Sequence, residues 1–229
     1  MCGLGVDEME LLPFDRDTAE MEPEAFLQKL RNMTEIKAVV AGWNYTFGRR
    51  GRGNADLLSA DGITHGYRVM IVPPETLVDG TAISSSLVRQ TLKEGKIAEA
   101  GALLGYQYSI TGTVAQGKHQ GRTLGFPTAN IEPWKRKALP KFGVYTCLLE
   151  TSNDQMPAVV NIGIQPTIPS GNVTVEAHAL NHCPSLYGQK VRLTLLTMLR
   201  EEKRFGSPDE LKDQIEKDRQ KALKLFNMA

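Results

Sequence analysis

Tyr108-Ser109-Ile110-Thr111-Gly112-Thr113-Val114 is the stretch on which the fold turns. It is rich in β-branched and aromatic residues, and its side chains alternate with period two, so they line opposite faces of a strand. Downstream, Gly143-Val144-Tyr145-Thr146-Cys147-Leu148-Leu149, Ala158-Val159-Val160-Asn161-Ile162-Gly163 and the runs at 173–180 and 191–199 have the same texture. Gly, Pro, Asn and Ser separate them. Five or six strands with no helix between them predict an antiparallel β-barrel. The chain then closes on one helix. Ser207-Pro208-Asp209-Glu210 reads as a capping box with proline at the first helical position. Leu211, Ile215, Ala222, Leu225 and Phe226 give that helix an apolar side.

Working outward to the N-terminal side, the texture changes near Gly105. Ile97 to Leu104 reads as a short helix, with Gly105 placed for a left-handed cap. Ser84-Ser85-Ser86-Leu87-Val88-Arg89 opens another helix, which Gly95 ends. Lys37-Ala38-Val39-Val40-Ala41-Gly42 and Arg68-Val69-Met70-Ile71-Val72 are short continuous apolar runs, as in parallel strands buried on both faces. Leu11-Leu12-Pro13-Phe14-Asp15 reads as the end of a further buried strand, and residues 23–30 read as a helix. Strands alternating with helices predict an α/β arrangement. The chain therefore divides into residues 1–105 and 106–229.

The 229 residues are 41% hydrophobic and 23% charged, a globular composition, and their net charge is only +1. No overall field is present to hold nucleic acid or an anionic membrane. The charge is uneven, however. Residues 1–100 carry 11 basic and 15 acidic side chains, and residues 101–229 carry 16 and 11. A phosphate-bearing ligand is expected on the second part. No apolar run reaches the ~18–20 residues of a membrane helix. The three cysteines, Cys2, Cys147 and Cys183, have no close spacing, and a reduced cytoplasm is the plain expectation.

Gly112 to His119 falls one residue short of a Walker A loop. His119 stands where a metal-binding hydroxyl is needed, and glycines and prolines follow where a helix is needed. The segment 117–130 still concentrates chemistry. Gly117, Gly121 and Gly125 let backbone N–H groups approach an anion, and Lys118 and Arg122 add positive charge. Thr128 and Asn130, two apart on an extended segment, point the same way and offer two oxygens to a hard cation such as Mg²⁺. A turn-rich hairpin with solvated cations fits the same composition. In Val173-Thr174-Val175-Glu176-Ala177-His178-Ala179-Leu180, Thr174, Glu176 and His178 share one face. A carboxylate in mid-strand suits a general base, and equally the exposed face of an edge strand. His178, His182 and Cys183 lack the second ligand pair of a zinc site. Arg49-Arg50-Gly51-Arg52-Gly53 lacks the aromatic platforms of an RNA reader.

Gly121-Arg122-Thr123-Leu124-Gly125-Phe126-Pro127-Thr128-Ala129-Asn130 resembles the signature of the riboflavin kinase domain. Gly143-Val144-Tyr145, Asn161 to Thr167, Glu176 with His178, Leu186-Tyr187-Gly188 and Leu199 to Phe205 follow in the same order. The resemblance implies ATP-dependent phosphorylation of the riboflavin 5′-hydroxyl, with Mg²⁺ as cofactor and riboflavin/FMN and ATP as ligands. It assigns Glu176 as the base, and Thr128 and Asn130 to the metal and phosphate oxygens. It makes Gly117, Lys118, Gly125 and Pro127 the nucleotide loop, and sets Arg200 and Phe205 in a segment that closes near the flavin. Leu12-Pro13-Phe14-Asp15, Gly42 to Gly48 and Ile83 to Arg89 are similar to the later part of the FMN adenylyltransferase domain of bacterial bifunctional riboflavin kinase/FAD synthetases. The implied fold is a partial Rossmann-like nucleotidyltransferase domain over 1–105, followed by a kinase barrel and its C-terminal helix over 106–229. The family's histidine-containing phosphate loop has no counterpart before Leu11, and no histidine precedes His65. Little or no FAD synthesis is therefore expected, and an incomplete first domain is expected to favour self-association. Two alternatives stay open: a bifunctional enzyme whose true product is longer, and a flavin-binding protein without turnover.

Overall fold

The computed structural model describes residues 5–115, 128–164, 173–181 and 186–227. The chain forms two compact units, Met1–Ala82 and Ile83–Ala229.

The first unit is a small α/β layer. Helix α1 (Arg16–Glu20) is capped by Asp15, which accepts from the Thr18 backbone N–H at 2.8 Å. Helix α2 (Pro23–Met33) starts on a proline, whose missing N–H costs nothing in the first turn. Strands β1 (Ala38–Gly42) and β2 (Arg68–Val72) pair in parallel, and helix α3 (Ala55–His65) crosses between them. The Asn54 side chain caps α3 by accepting from Leu57 N–H at 2.9 Å. Leu27, Ala41, Phe47 and Leu58 form its core. Asp61 of α3 binds Arg31 and accepts from the Tyr67 hydroxyl at 2.6 Å, which ties α2 to α3.

Two expectations fail in this unit. The apolar runs at 37–42 and 68–72 are strands, but only one face of them is covered. Val40 is 64% exposed and Met70 63%. An apolar run suits burial, but its neighbours decide whether burial happens, and here β1 and β2 form a two-stranded sheet. Leu11 to Asp15 form no strand, and Leu11 and Phe14 are exposed, because no strand among the described residues pairs with them.

In the second unit, helices α4 (Ser85–Lys93) and α5 (Ile97–Leu104) precede six strands: β3 (Ser109–Ala115), β4 (Ala129–Pro133), β5 (Gly143–Glu150), β6 (Gln155–Ile164), β7 (Val173–Ala179) and β8 (Lys190–Glu201). All are antiparallel and close into a barrel in the order β3-β4-β7-β6-β5-β8. Closure removes the sheet edges. The interior is filled by Ile110, Tyr145, Cys147, Val160, Ile162, Leu193 and their neighbours, and α4 and α5 add Val88, Leu92, Ile97 and Ala100 to the same core. Gly95, between these helices, has φ +79°, and a Cβ there would stand 2.8 Å from the Met198 sulfur of β8. Glycine is what lets the helix pair close onto the barrel. Helix α6 (Pro208–Asn227) follows β8. The Ser207 cap forms as predicted, with Glu210 N–H donating to Ser207 Oγ at 3.2 Å, while the return bond to the Glu210 carboxylate comes from Gly206 N–H, one residue before the cap, at 2.9 Å.

Candidate active site

The barrel brings three polar residues into one row. Asn130 of β4 lies directly opposite Glu176 of β7, and Glu176 lies directly opposite Asn161 of β6. Their strand neighbours Ile131, Val175, Ala177, Val160 and Ile162 are at most 3% exposed and fill the interior. By alternation, Asn130, Glu176 and Asn161 therefore project from the outer face, where each is half-buried. Directly opposed residues have Cβ atoms ~4.5–5.5 Å apart, so the three groups form one continuous polar line. Thr128, just ahead of β4, is half-buried too, two residues from Asn130. Glu176 and His178 both have partners within the protein.

Beyond Asn161 the row continues to Val144 of β5, then to Arg200 of β8. Val144 is 3% exposed and supplies an apolar stretch. Arg200 is committed to the fold. Its Nε donates to Asp218 of α6 at 2.8 Å, and a second guanidinium nitrogen donates to the Glu201 carbonyl at 3.0 Å. Gln214 donates to the other Asp218 oxygen at 2.9 Å, so this carboxylate, on a residue only 3% exposed, is well satisfied. The Phe205 ring lies 5.7 Å from the Arg200 guanidinium, within cation–π range. A hydrogen bond from Gln220, together with Arg219 and His178, holds the Glu216 carboxyl of α6 below its ordinary range. His178 of β7 is thus within electrostatic reach of α6, two residues from Glu176.

Gly117, Lys118, Gly125 and Pro127 lie outside the described residues. Of the remaining sequence candidates, Asn130 and Glu176 meet on adjacent strands with Thr128 just ahead of the first, while Arg200 and Phe205 group together beside α6. Two residues were given no site role by the sequence reading. Asp218 looks like one more acid on a charged helix, and nothing local marks it as buried. Asn161 did carry a signal, a polar side chain inside Val159-Val160-Asn161-Ile162. Elsewhere in this unit, a cleft of about 410 Å³ beside α4 is lined by Val88, Leu92, Trp134 and Lys137, and includes none of the row. Burial pushes the Cys147 thiol up, which leaves it inert. Burial, then the charge of Glu201, pushes the Tyr145 hydroxyl up to about 12.

The riboflavin kinase family profile matches residues 104–226, over half of the chain. The FAD synthetase profile matches residues 1–87. A bifunctional riboflavin kinase/FMN adenylyltransferase of Escherichia coli K12 is 36% identical over 227 residues, covering 98% of this chain and 72% of the relative. The chain belongs to the bifunctional riboflavin kinase/FMN adenylyltransferase family. Another member of that family, from Listeria monocytogenes, is 33% identical over 99% of this chain and 72% of its own length. A crystal structure described as a macrolide-efflux protein from Streptococcus pneumoniae superposes with a TM-score of 0.81 at 32% identity, covering 94% of this chain and 69% of that one. Among the described residues here, no helix is long and apolar enough to cross a membrane. The six-stranded barrel with its terminal helix fits the kinase part of the family, and the parallel βαβ unit fits the nucleotidyltransferase part.

Proposed function

We propose that this chain is a riboflavin kinase that transfers the γ-phosphoryl group of ATP to the riboflavin 5′-hydroxyl, with residues 106–229 as the kinase domain and residues 1–105 as an adenylyltransferase-like domain. The observation that carries this reading is the row Asn130–Glu176–Asn161, which sets one carboxylate between two carboxamides on a rigid barrel. Phosphoryl transfer asks little covalent chemistry of a protein and much positioning. Glu176 takes the proton of the attacking hydroxyl as its oxygen bonds to the γ-phosphorus. The bond from that phosphorus to the β,γ-bridging oxygen breaks, and ADP leaves with the electron pair. Strands are stiffer supports than loops, so the base is held in place before substrate arrives.

The donor set at Thr128 and Asn130 fits a hard divalent cation, since a hydroxyl and a carboxamide oxygen are both oxygen ligands of the kind Mg²⁺ prefers. These two residues would hold it. The bound ion would neutralise charge on the phosphate oxygens. Gly117, Lys118, Gly125 and Pro127 are proposed to cradle the nucleotide, as the family resemblance implies. Arg200 and Phe205 are proposed to border the flavin. Because Arg200 is already paired with Asp218, its part is to hold the wall rather than to supply a free charge.

The product profile of purified chain with riboflavin and excess MgATP tests the assignment. FMN with equimolar ADP is the expected result. Chelation by EDTA is expected to stop turnover, and added Mg²⁺ to restore it. Flavin binding without ADP release would support a non-catalytic binder instead. Replacing riboflavin by FMN tests the second activity of the family, with FAD as its readout.

A further inference from the structure

The row of polar residues has a direction, and that direction assigns a job to Asn161. Resting on the kinase reading, the transferred group sits on the β4 side, where Thr128 and Asn130 offer oxygen ligands, and the base sits at the centre on β7. An in-line transfer places donor and acceptor on opposite sides of the phosphorus. The body of the acceptor must then leave the reacting hydroxyl over β6, and the side chain it meets first is Asn161, directly opposite Glu176. Past Asn161 stands buried Val144, which offers an acceptor no polar group. A carboxamide both donates and accepts, as does a polyol hydroxyl. A half-buried amide makes a reader of such a hydroxyl, because its shielding from water sharpens the loss when the partner is missing.

The geometry points to Asn161 as a specificity-determining residue that hydrogen-bonds a second hydroxyl of the acceptor's polyol chain, next to the one that is phosphorylated. Asn161 thereby sets the reacting hydroxyl against Glu176 and rejects acceptors whose chain lacks that group.

Asn161→Leu keeps the branched side-chain skeleton and removes both hydrogen-bonding functions. With riboflavin, its kcat/KM is expected to fall about 10-fold, the size of one neutral hydrogen bond, while KM for MgATP stays within about twofold. The deciding comparison uses a flavin analogue that lacks the neighbouring side-chain hydroxyl. The parent should lose a similar factor on that analogue, and Asn161→Leu should lose little more, because both changes delete one interaction. Equal losses on both acceptors would show that Asn161 only supports the strand, and would overturn the assignment. Flavin fluorescence quenching reads the same discrimination without turnover. The parent should bind riboflavin more tightly than the analogue, and the variant should bind the two alike. That measurement stands even where no FMN forms, so failure of the kinase reading and failure of the Asn161 assignment are separable. Should Asn161→Leu not fold, Asn161→Ser, whose hydroxyl is too short to reach, is expected to lose the same discrimination. Undiminished discrimination in the serine variant refutes the proposal.

Discussion

A single carboxylate on a strand can be inert or reactive, and at Glu176 its row decides. Asn130 and Asn161 flank it on adjacent strands, and their carboxamides are able to hydrogen-bond without adding charge. Glu176→Gln keeps the shape and removes the base. Its kcat is expected to fall by ~10²–10⁴ while riboflavin binding, read by fluorescence, changes little. A variant that turns over like the parent would place the base elsewhere. Asp61 shows the opposite use of an acid. Burial alone would raise its pKa, but the Tyr67 hydroxyl and then Arg31 hold it below the ordinary 3.8. A depressed native pKa means that its stabilising effect is complete above the unfolded value near 4 and is lost as pH falls through the lower native value. Asp61→Asn is expected to cost about 1–3 kcal/mol in denaturant unfolding, and to make the first unit less sensitive to acid.

Elements meet at points that tolerate no extra atom. Gly143 starts β5 so close to β8 that a Cβ there would run into the Arg200 carbonyl. Backbone cannot step aside as a side-chain tip can. Gly143→Ala is expected to cost ~1–3 kcal/mol by pushing β8 off β5. It should also loosen the Arg200–Asp218 tie between β8 and α6, seen as faster hydrogen exchange in α6. In the adjacent register of β5, Cys147 is wholly buried, and its thiol is held neutral by that burial. It is expected to stay unreactive toward iodoacetamide at pH 8 in the native protein and to react once unfolded. Labelling followed by mass spectrometry checks this.

At the scale of the whole molecule, the two units have very unequal cores. The barrel unit buries a large contiguous set of side chains on a closed sheet, whereas the first unit relies on Leu27, Ala41, Phe47 and Leu58 beneath a two-stranded sheet. Burial contributes in proportion to apolar area. Unfolding is therefore expected in two steps, the first unit melting earlier. Limited proteolysis should cut within Met1–Ala82 before the barrel. We propose that the exposed face carrying Val40, Met70 and Val72 is where copies of the chain would associate. Sedimentation at rising concentration is expected to show it, and Val40→Lys with Met70→Lys to abolish it while leaving kinase turnover unchanged.

What the residues alone determined was whatever depends on near neighbours in the chain. Period-two alternation at 108–114 and in the later runs specified barrel strands. Ser84 and Ser207 marked helix starts with their own side chains, and Thr128, Asn130 and Glu176 could be singled out by residue type and spacing; the helix that Asn54 caps did not show in the sequence and came with the fold. What only the tertiary structure decided was which strands lie side by side and what covers each face. The order β4-β7-β6 places residues 130, 176 and 161 in one row, although dozens of positions separate Asn130 from the other two in the chain. The burial of Asp218, the commitment of Arg200 and the bare side of β1 and β2 have the same origin. Local pattern sets which face of a strand or helix is apolar, but register and covering come from the surfaces that close on one another, and those are long-range.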